Sequence, residues 1–109
     1  MRMMLPTDKS LLAECKRGIQ AVVPNAEVVL FGSRARSDAQ PDSDYDLLIL
    51  VDQEPTIKLE KEILDYIYPI ELKHDAMVSF VIHSKRNWKS PSYRAMPFHQ
   101  NVEREGVRL

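Results

Sequence analysis

Two aspartates separated by one residue, Asp44 and Asp46, are the side chains in this sequence that most clearly indicate chemistry. They open an apolar run, 47–51, that is typical of a central strand covered on both faces. Because alternate residues of a strand point to the same face, the two carboxylates are expected to project together. A divalent cation between them would relieve their mutual repulsion, and magnesium favours carboxylate and phosphate oxygens. The spacing therefore predicts that Asp44 and Asp46 are metal ligands.

A glycine and a serine lie shortly before this pair, at the end of a second apolar run, 28–31. Gly32 allows the backbone to approach a ligand closely, and Ser33 can cap a short helical turn whose first N–H groups favour an anion. Arg34 and Arg36 add cationic donors suited to phosphate oxygens, although at most one of them is expected to face a ligand. The stretch predicts a phosphate site beside the metal site.

Each of these signals is weak when it stands alone. A Gly-Ser pair after a strand is usually a simple turn, and Asp-x-Asp is common at the starts of strands and in loops. Here a polar loop, 37–43, joins the two signals, and both lie at the ends of predicted strands. This combination favours a functional interpretation over coincidence.

The elements that must position the motif are predicted in the order helix, strand, strand, helix, strand, helix. A first helix is predicted to begin at Thr7 as N-cap, with an apolar face that contains Cys15, and strands are predicted at 27–31 and 45–51. Thr56 is predicted to cap a second long helix that Pro69 ends or kinks, and residues 70–75 are left open as a helical turn or a loop.

The remaining elements form the second half of the chain. A third strand is predicted at 77–83, followed by a polar, basic segment around Trp88, and a short helix runs from Pro97 towards Glu105 and stops at Gly106. The predicted fold is a small α/β (α+β) domain with a mixed sheet of three or more strands and helices packed on it.

Size and composition narrow the classes of protein. A chain of 109 residues with 44% apolar and 28% charged residues fits one soluble domain, which we assign to 1–109. No apolar run approaches the roughly 20 residues that cross a bilayer, and no signal peptide is recognised. The single cysteine, Cys15, is expected to be a buried, reduced thiol in a cytoplasmic protein. The net charge of −1 argues against a general nucleic-acid binder.

The segments 32–36 and 43–47 together resemble the signature of the DNA polymerase beta-type nucleotidyltransferase superfamily, and more narrowly that of the minimal nucleotidyltransferases of bacteria and archaea. The resemblance implies transfer of a nucleoside monophosphate, AMP from ATP being favoured, to a protein or small-molecule hydroxyl. It implies that Gly32 and Ser33 hold the triphosphate, with Arg34, Arg36 and Ser43 nearby. Asp44 and Asp46 would be catalytic and would bind one or two magnesium ions.

The resemblance also implies a partner. Minimal nucleotidyltransferases are often paired with a small HEPN-domain protein, for which they act as antitoxins. The sequence leaves open whether the protein also forms a homo-oligomer.

Catalytic members of the superfamily generally carry a third carboxylate on a later strand. The predicted third strand contains no acid, and Ser79 stands roughly where that acid is expected. Glu71 and Asp75 lie just upstream and would reach the site only if the strand begins earlier than predicted. The sequence therefore leaves two hypotheses: an active nucleotidyltransferase, or a catalytically weak nucleotide-binding module that neutralises a partner by complex formation.

Other candidate residues have plainer interpretations. The three histidines, His74, His83 and His99, show no metal-ligand spacing. Trp88 is expected to close the core beneath the basic segment rather than to stack on a nucleic-acid base.

Overall fold

The computed structural model describes the backbone of residues 6–109 and the side chains from residue 8 onward. The N-cap role predicted for Thr7 therefore lies outside the described side chains. In chain order the elements are α1 (Pro6–Val22), β1 (Glu27–Phe31), α2 (Ser33–Arg36), β2 (Tyr45–Val51), α3 (Ile57–His74), β3 (Val78–Ser84), α4 (Lys85–Trp88), α5 (Pro91–Arg94), α6 (Pro97–Glu105) and β4 (Val107–Arg108). The mixed α/β architecture confirms the predicted fold class.

The four strands form one sheet with the order β3-β2-β1-β4. β1 runs antiparallel to both β2 and β4, whereas β2 and β3 are parallel and are joined through α3. Asp46 is paired with Phe31 on β1 and with Ser79 on β3. The first residues of β2 thus lie between the end of β1 and the beginning of β3, which brings three chain segments together at one edge of the sheet.

One face of the sheet is covered by the two long helices. α1 and α3 pack on each other and, with the sheet, form the larger core cluster. Ile19 of α1 and Ile63 of α3 are completely buried in that cluster. The side chains of β2 that enter it are Tyr45, Leu47, Ile49 and Val51.

The opposite face is covered by the C-terminal segment. Leu48 and Leu50 of β2 pack in a second cluster with Trp88 and Val102. The ring of Trp88 meets that of Phe98 edge-on, with centroids 5.8 Å apart. β2 is therefore covered on both faces, as its uninterrupted apolar run predicts, and Trp88 is a core residue, as expected.

Some boundaries differ from the predicted ones. Of the two alternatives left open for residues 70–75, the structure has the helical one: α3 continues through Pro69 to His74, because Ile67 and Ile70 on either side of the proline are both buried and hold the helix against the core. Thr56 caps α3 as predicted, accepting the Leu59 N–H at 3.1 Å. The basic segment after β3, for which no element was predicted, contains two short helices, and β4 was not predicted either.

Gly106 ends α6 for a reason other than the predicted one. Its φ of −66° is accessible to any residue, so the left-handed C′ conformation is not what requires glycine. Instead, a Cβ at this position would lie 2.5 Å from the Val102 carbonyl oxygen and 2.8 Å from Cγ1 of Val29. Glycine is needed because the chain passes closely over β1 before it pairs as β4.

Candidate active site

Gly32 forms a tight turn at the end of β1. Its φ of +76° lies in the region that side-chain-bearing residues rarely adopt. A Cβ at Gly32 would also lie only 2.5 Å from Oδ2 of Asp46. The glycine thus brings the backbone against the carboxylate of the neighbouring strand. The approach to a ligand that the sequence predicts for Gly32 stays a prediction.

The helical turn α2 begins directly after this glycine. The Gly32 carbonyl accepts the N–H groups of Ala35 and Arg36, each at 3.1 Å, so that Gly32 itself occupies the N-cap position. The prediction that Ser33 caps the turn is wrong, because the tight turn places Ser33 one residue further on, as the first residue of the helix. Ser33 is half-buried beside Gly32.

Asp44 lies directly before β2 and Asp46 is the second residue of the strand, and both are next to Ser79 of β3. Asp44 is exposed, whereas Asp46 is half-buried. Burial and, to a smaller extent, the negative charge of Asp44 raise the pKa of Asp46, while the charge of Arg36 opposes this shift. Because the raised pKa disfavours the ionised form of Asp46, a cation bound beside the carboxylate would stabilise that form. The donor set, two carboxylates at the exposed end of a strand, fits a divalent metal ion.

The β3 side of the site has a hydroxyl in place of an acid. Ser79 is the register partner of Asp46, and its Oγ donates to Oδ2 of Asp44 at 3.4 Å. Within residues 6–109, no three His, Cys, Asp or Glu side chains are grouped closely enough to hold a metal ion. Among the described residues, the acidic side chains that meet at this corner are therefore Asp44 and Asp46.

Neither upstream acid completes the site. Oε2 of Glu71 accepts the Val78 N–H at 2.9 Å, which ties α3 to the first residue of β3. Asp75 is the C-cap of α3 in a left-handed conformation. It lines a cleft of about 810 Å³ whose walls include Tyr45 but neither of the two motif aspartates. β3 does not begin early enough to carry Glu71 or Asp75 to the motif.

The two arginines of the motif point in different directions. Arg36 is bound to Asp38 at 3.2 Å and to Glu105 at 3.4 Å, and its charge acts on Asp46. Arg34 extends towards the opposite face, where its guanidinium lies 4.3 Å from the ring centroid of Tyr45. Only Arg36 is thus placed on the carboxylate side of the turn.

Ser43, the remaining predicted binding residue, takes part in the structure of the loop. Its hydroxyl accepts the Gln40 N–H at 2.9 Å, and its own N–H donates to the Gln40 carbonyl at 3.0 Å. Its carbonyl accepts two N–H groups of Arg34. Sequence reasoning did not detect this role of Arg34, because nothing in the spacing shows which way the side chain turns.

The three histidines lie apart from the motif in ordinary packing or ion-pair positions. His99 is buried and stacks on Trp88 with ring centroids 4.2 Å apart. His83 also stacks on Trp88, and burial lowers its pKa. His74 lies beside Glu14 of α1.

Comparison with known proteins gives the same class of protein that the turn and the paired carboxylates indicate. The family model of the nucleotidyltransferase domain matches residues 11–94, and the chain belongs to this family. It is a nucleotidyltransferase. A Methanocaldococcus jannaschii protein named as a candidate protein adenylyltransferase, MJ0141, is 36% identical over 101 residues, which are 91% of this chain and 95% of that protein.

Solved structures show the same fold. A candidate minimal nucleotidyltransferase superposes with a TM-score of 0.58 at 25% identity, covering 93% of this chain and 94% of its own. A candidate nucleotidyltransferase from Sulfolobus solfataricus superposes with a TM-score of 0.50 at 18% identity, covering 99% of this chain and 89% of its own. No helix in the described part of the chain is long and apolar enough to cross a membrane.

Proposed function

We propose that this nucleotidyltransferase transfers AMP from ATP to a hydroxyl group, with magnesium as its metal ion and residues 1–109 as a single minimal domain. The observation that carries the proposal is the approach of the Gly32 turn to the Asp46 carboxylate, where no room is left for a Cβ. This juxtaposition puts a backbone suited to phosphate beside a carboxylate suited to a metal ion.

In this proposal, different residues of the site bind the phosphates and the metal ion. Gly32 and Ser33 would hold the triphosphate, and Arg36 stands on the same side as a cationic donor. Asp44 and Asp46 would hold one or two magnesium ions. When bound, the metal neutralises charge on the phosphates and orients them for transfer.

The acceptor we favour is a hydroxyl of a protein. The M. jannaschii relative is named as a candidate protein adenylyltransferase, and the pairing covers nearly the whole of both chains. We further propose that the protein acceptor is a HEPN-domain partner, for which this chain serves as the antitoxin, on the basis of the resemblance to minimal nucleotidyltransferases.

One observation favours a second candidate function. The β3 neighbour of Asp46 is Ser79, and a serine cannot act as a general base for the acceptor hydroxyl as a carboxylate can. A site with this composition would still bind metal and nucleotide. In this alternative the protein neutralises its partner by forming a complex and transfers AMP slowly or not at all.

Incubation with ATP labelled at the α-phosphate, magnesium and a purified HEPN-domain protein from the same organism would test the proposal. We expect label on the partner, and its loss in Asp44→Ala and Asp46→Ala. Asp65→Ala, which removes an exposed carboxylate from α3, is the matched control and should label normally. A tight complex without label, unaffected by either active-site substitution, would show that the second function is correct.

A further inference from the structure

The side chain of Arg34 is held by the loop that leads into Asp44. Its Nε donates to the Ser43 carbonyl at 3.2 Å, and its Nη2 donates to the same carbonyl at 2.9 Å and to the Pro41 carbonyl at 3.0 Å. Three N–H donors are therefore directed at backbone oxygens of the loop. The fork-shaped guanidinium fixes the residue that immediately precedes Asp44.

The same guanidinium also holds the residue that follows Asp44. Its Cζ lies 4.3 Å from the ring centroid of Tyr45, within the range of a cation–π contact. Its Nη1 lies 3.8 Å from Oδ1 of Asp8 on α1, and the Tyr45 hydroxyl donates to that same carboxylate oxygen. Arg34 thus contacts Ser43 and Tyr45, one residue on each side of Asp44, and links both to the first helix.

This network lies on the side of the strand away from the paired carboxylates. Tyr45 packs in the cluster under α1 and α3, whereas Asp46 faces the other way, towards Gly32 and its register partner Ser79. The Arg34 side chain is only 14% exposed. Its Nε and Nη2 are engaged by loop carbonyls, and its Nη1 lies beside Asp8 of α1, away from the contact between the Gly32 turn and Asp46.

We propose that Arg34 is a positioning residue, which holds Asp44 in place beside Asp46 through Ser43 and Tyr45 and takes no part in phosphate binding. The inference rests on the proposed function only in so far as Asp44 is a metal ligand. Asp44 is exposed and follows a polar loop, so its backbone depends on this anchorage for a fixed position. This assignment replaces the phosphate contact that the sequence predicts for Arg34.

Arg34→Lys separates positioning from phosphate binding, because lysine is an adequate phosphate ligand but cannot reach two carbonyls with one planar fork. We would measure Mn²⁺ binding by electron paramagnetic resonance, and kcat and KM for ATP. We expect Arg34→Lys and Arg34→Ala to bind Mn²⁺ more weakly and to lose up to about 10²-fold in kcat, the effect of a small misplacement, with KM little changed. Arg86→Ala, which removes an exposed arginine from α4, is the control.

The opposite pattern would overturn the proposal. If Arg34→Lys keeps wild-type kcat and Mn²⁺ binding while Arg34→Ala raises KM for ATP, then Arg34 is a phosphate ligand. Arg34→Lys retains a positive charge beside Tyr45. It therefore remains a usable test if Arg34→Ala does not fold.

A second measurement does not require any transfer activity. The amides of Gln40 and Ser43 are hydrogen-bonded within the loop, and we expect both to exchange with deuterium faster in Arg34→Lys than in the wild type. Unchanged exchange overturns the positioning role whatever the activity. If the wild-type protein binds neither Mn²⁺ nor ATP, the proposed function fails, while faster exchange in the variant still supports the structural part of the inference.

Discussion

At the scale of single residues, the chemistry of the candidate site depends on residue 79, the β3 residue that is paired with Asp46. The Ser79 hydroxyl there lies 3.4 Å from Oδ2 of Asp44, and Ser79 is exposed. An acid at this position would share the corner with both motif aspartates. Because the side chain reaches solvent, it can be exchanged without disturbing the core.

We therefore predict that Ser79→Asp strengthens metal binding at the proposed site. It adds a carboxylate beside two others, so Mn²⁺ or Mg²⁺ should bind more tightly, and AMP transfer should rise, on the order of 10²-fold if the new group acts as a general base. Without metal the melting temperature should fall because three like charges are close together. Ser79→Asn is the neutral control of the same shape, and an equal gain in that variant would contradict the explanation.

A second prediction concerns the cost of keeping Asp46 ionised. Burial and the charge of Asp44 raise its pKa above the ordinary value of 3.8, so the folded state holds this proton more tightly than the unfolded chain does. The contribution of the Asp46 carboxyl group to the free energy of unfolding is therefore greatest in acid. It is lost as the pH rises through the pKa of this group in the folded state.

Asp46→Asn should consequently raise the melting temperature of the metal-free protein at neutral pH, while transfer is abolished. The gain should shrink as the pH falls and disappear below 3.8, where the unfolded aspartate is also protonated. Thermal melts of both proteins at several pH values between roughly 3 and 7 measure how the difference in melting temperature depends on pH. A gain that is constant across that range would point to packing instead of charge.

At the scale of the elements, the helix pair that supports the strands is held together by a close approach. A Cβ on Gly18 of α1 would lie 3.0 Å from Cβ of Tyr66 on α3 and 3.4 Å from its Cγ and Cδ1. Gly18 is buried although Tyr66 is partly exposed. The absence of a side chain at this position allows the two helices to meet.

We predict that Gly18→Leu destabilises the fold by about 1–3 kcal/mol, as overpacking of a helix contact typically does, despite the better helix propensity of leucine. Urea unfolding would measure this loss. Tyr66→Ala removes two of the three atoms that the new side chain meets, so the double variant should recover part of the loss. Full additivity of the two substitutions would contradict a shared contact.

Local sequence signals predicted the elements well where the cause is local. Thr56 caps α3 because its hydroxyl needs only the N–H three residues on, and β2 is recognisable because a strand covered on both faces is apolar throughout. The end of α3 was uncertain because tertiary burial of Ile67 and Ile70 overrides the local effect of Pro69. β4 is only two residues long and pairs with a strand far earlier in the chain, so it leaves no local pattern.

The same distinction applies to the site. The pairing of Asp44 with Asp46 on one face follows from strand geometry alone, and the structure places them so. The orientation of Arg34 could not be predicted, because it depends on Asp8 and on loop carbonyls brought close only by folding. The sequence already shows that the third strand carries no acid. Only the structure shows that Ser79 is the residue paired with Asp46.

At the scale of the whole molecule, Cys15 reports on the integrity of the core. It is completely buried between the helices and the sheet, and burial raises its pKa to about 12. The predicted buried thiol is thus confirmed. We expect a thiol reagent to label the native protein at pH 8 only through opening of the larger core cluster, and the denatured chain at once.

Labelling rates measured across a urea series should therefore rise in step with unfolding followed by circular dichroism. Cys15 is the single cysteine of the chain, so the signal has one source. Rapid labelling in the absence of denaturant, with unchanged circular dichroism, would show that α1 opens locally instead.

The register around Asp46 also has a kinetic consequence. Its pairing with Phe31 closes a short antiparallel connection, whereas its pairing with Ser79 requires a parallel crossover through α3. Contacts between distant parts of a chain form more slowly than local ones. During refolding, the Gly32 turn is therefore expected to meet Asp46 before β3 arrives, so that the half of the candidate site built by β1 and β2 forms before the half that includes Ser79.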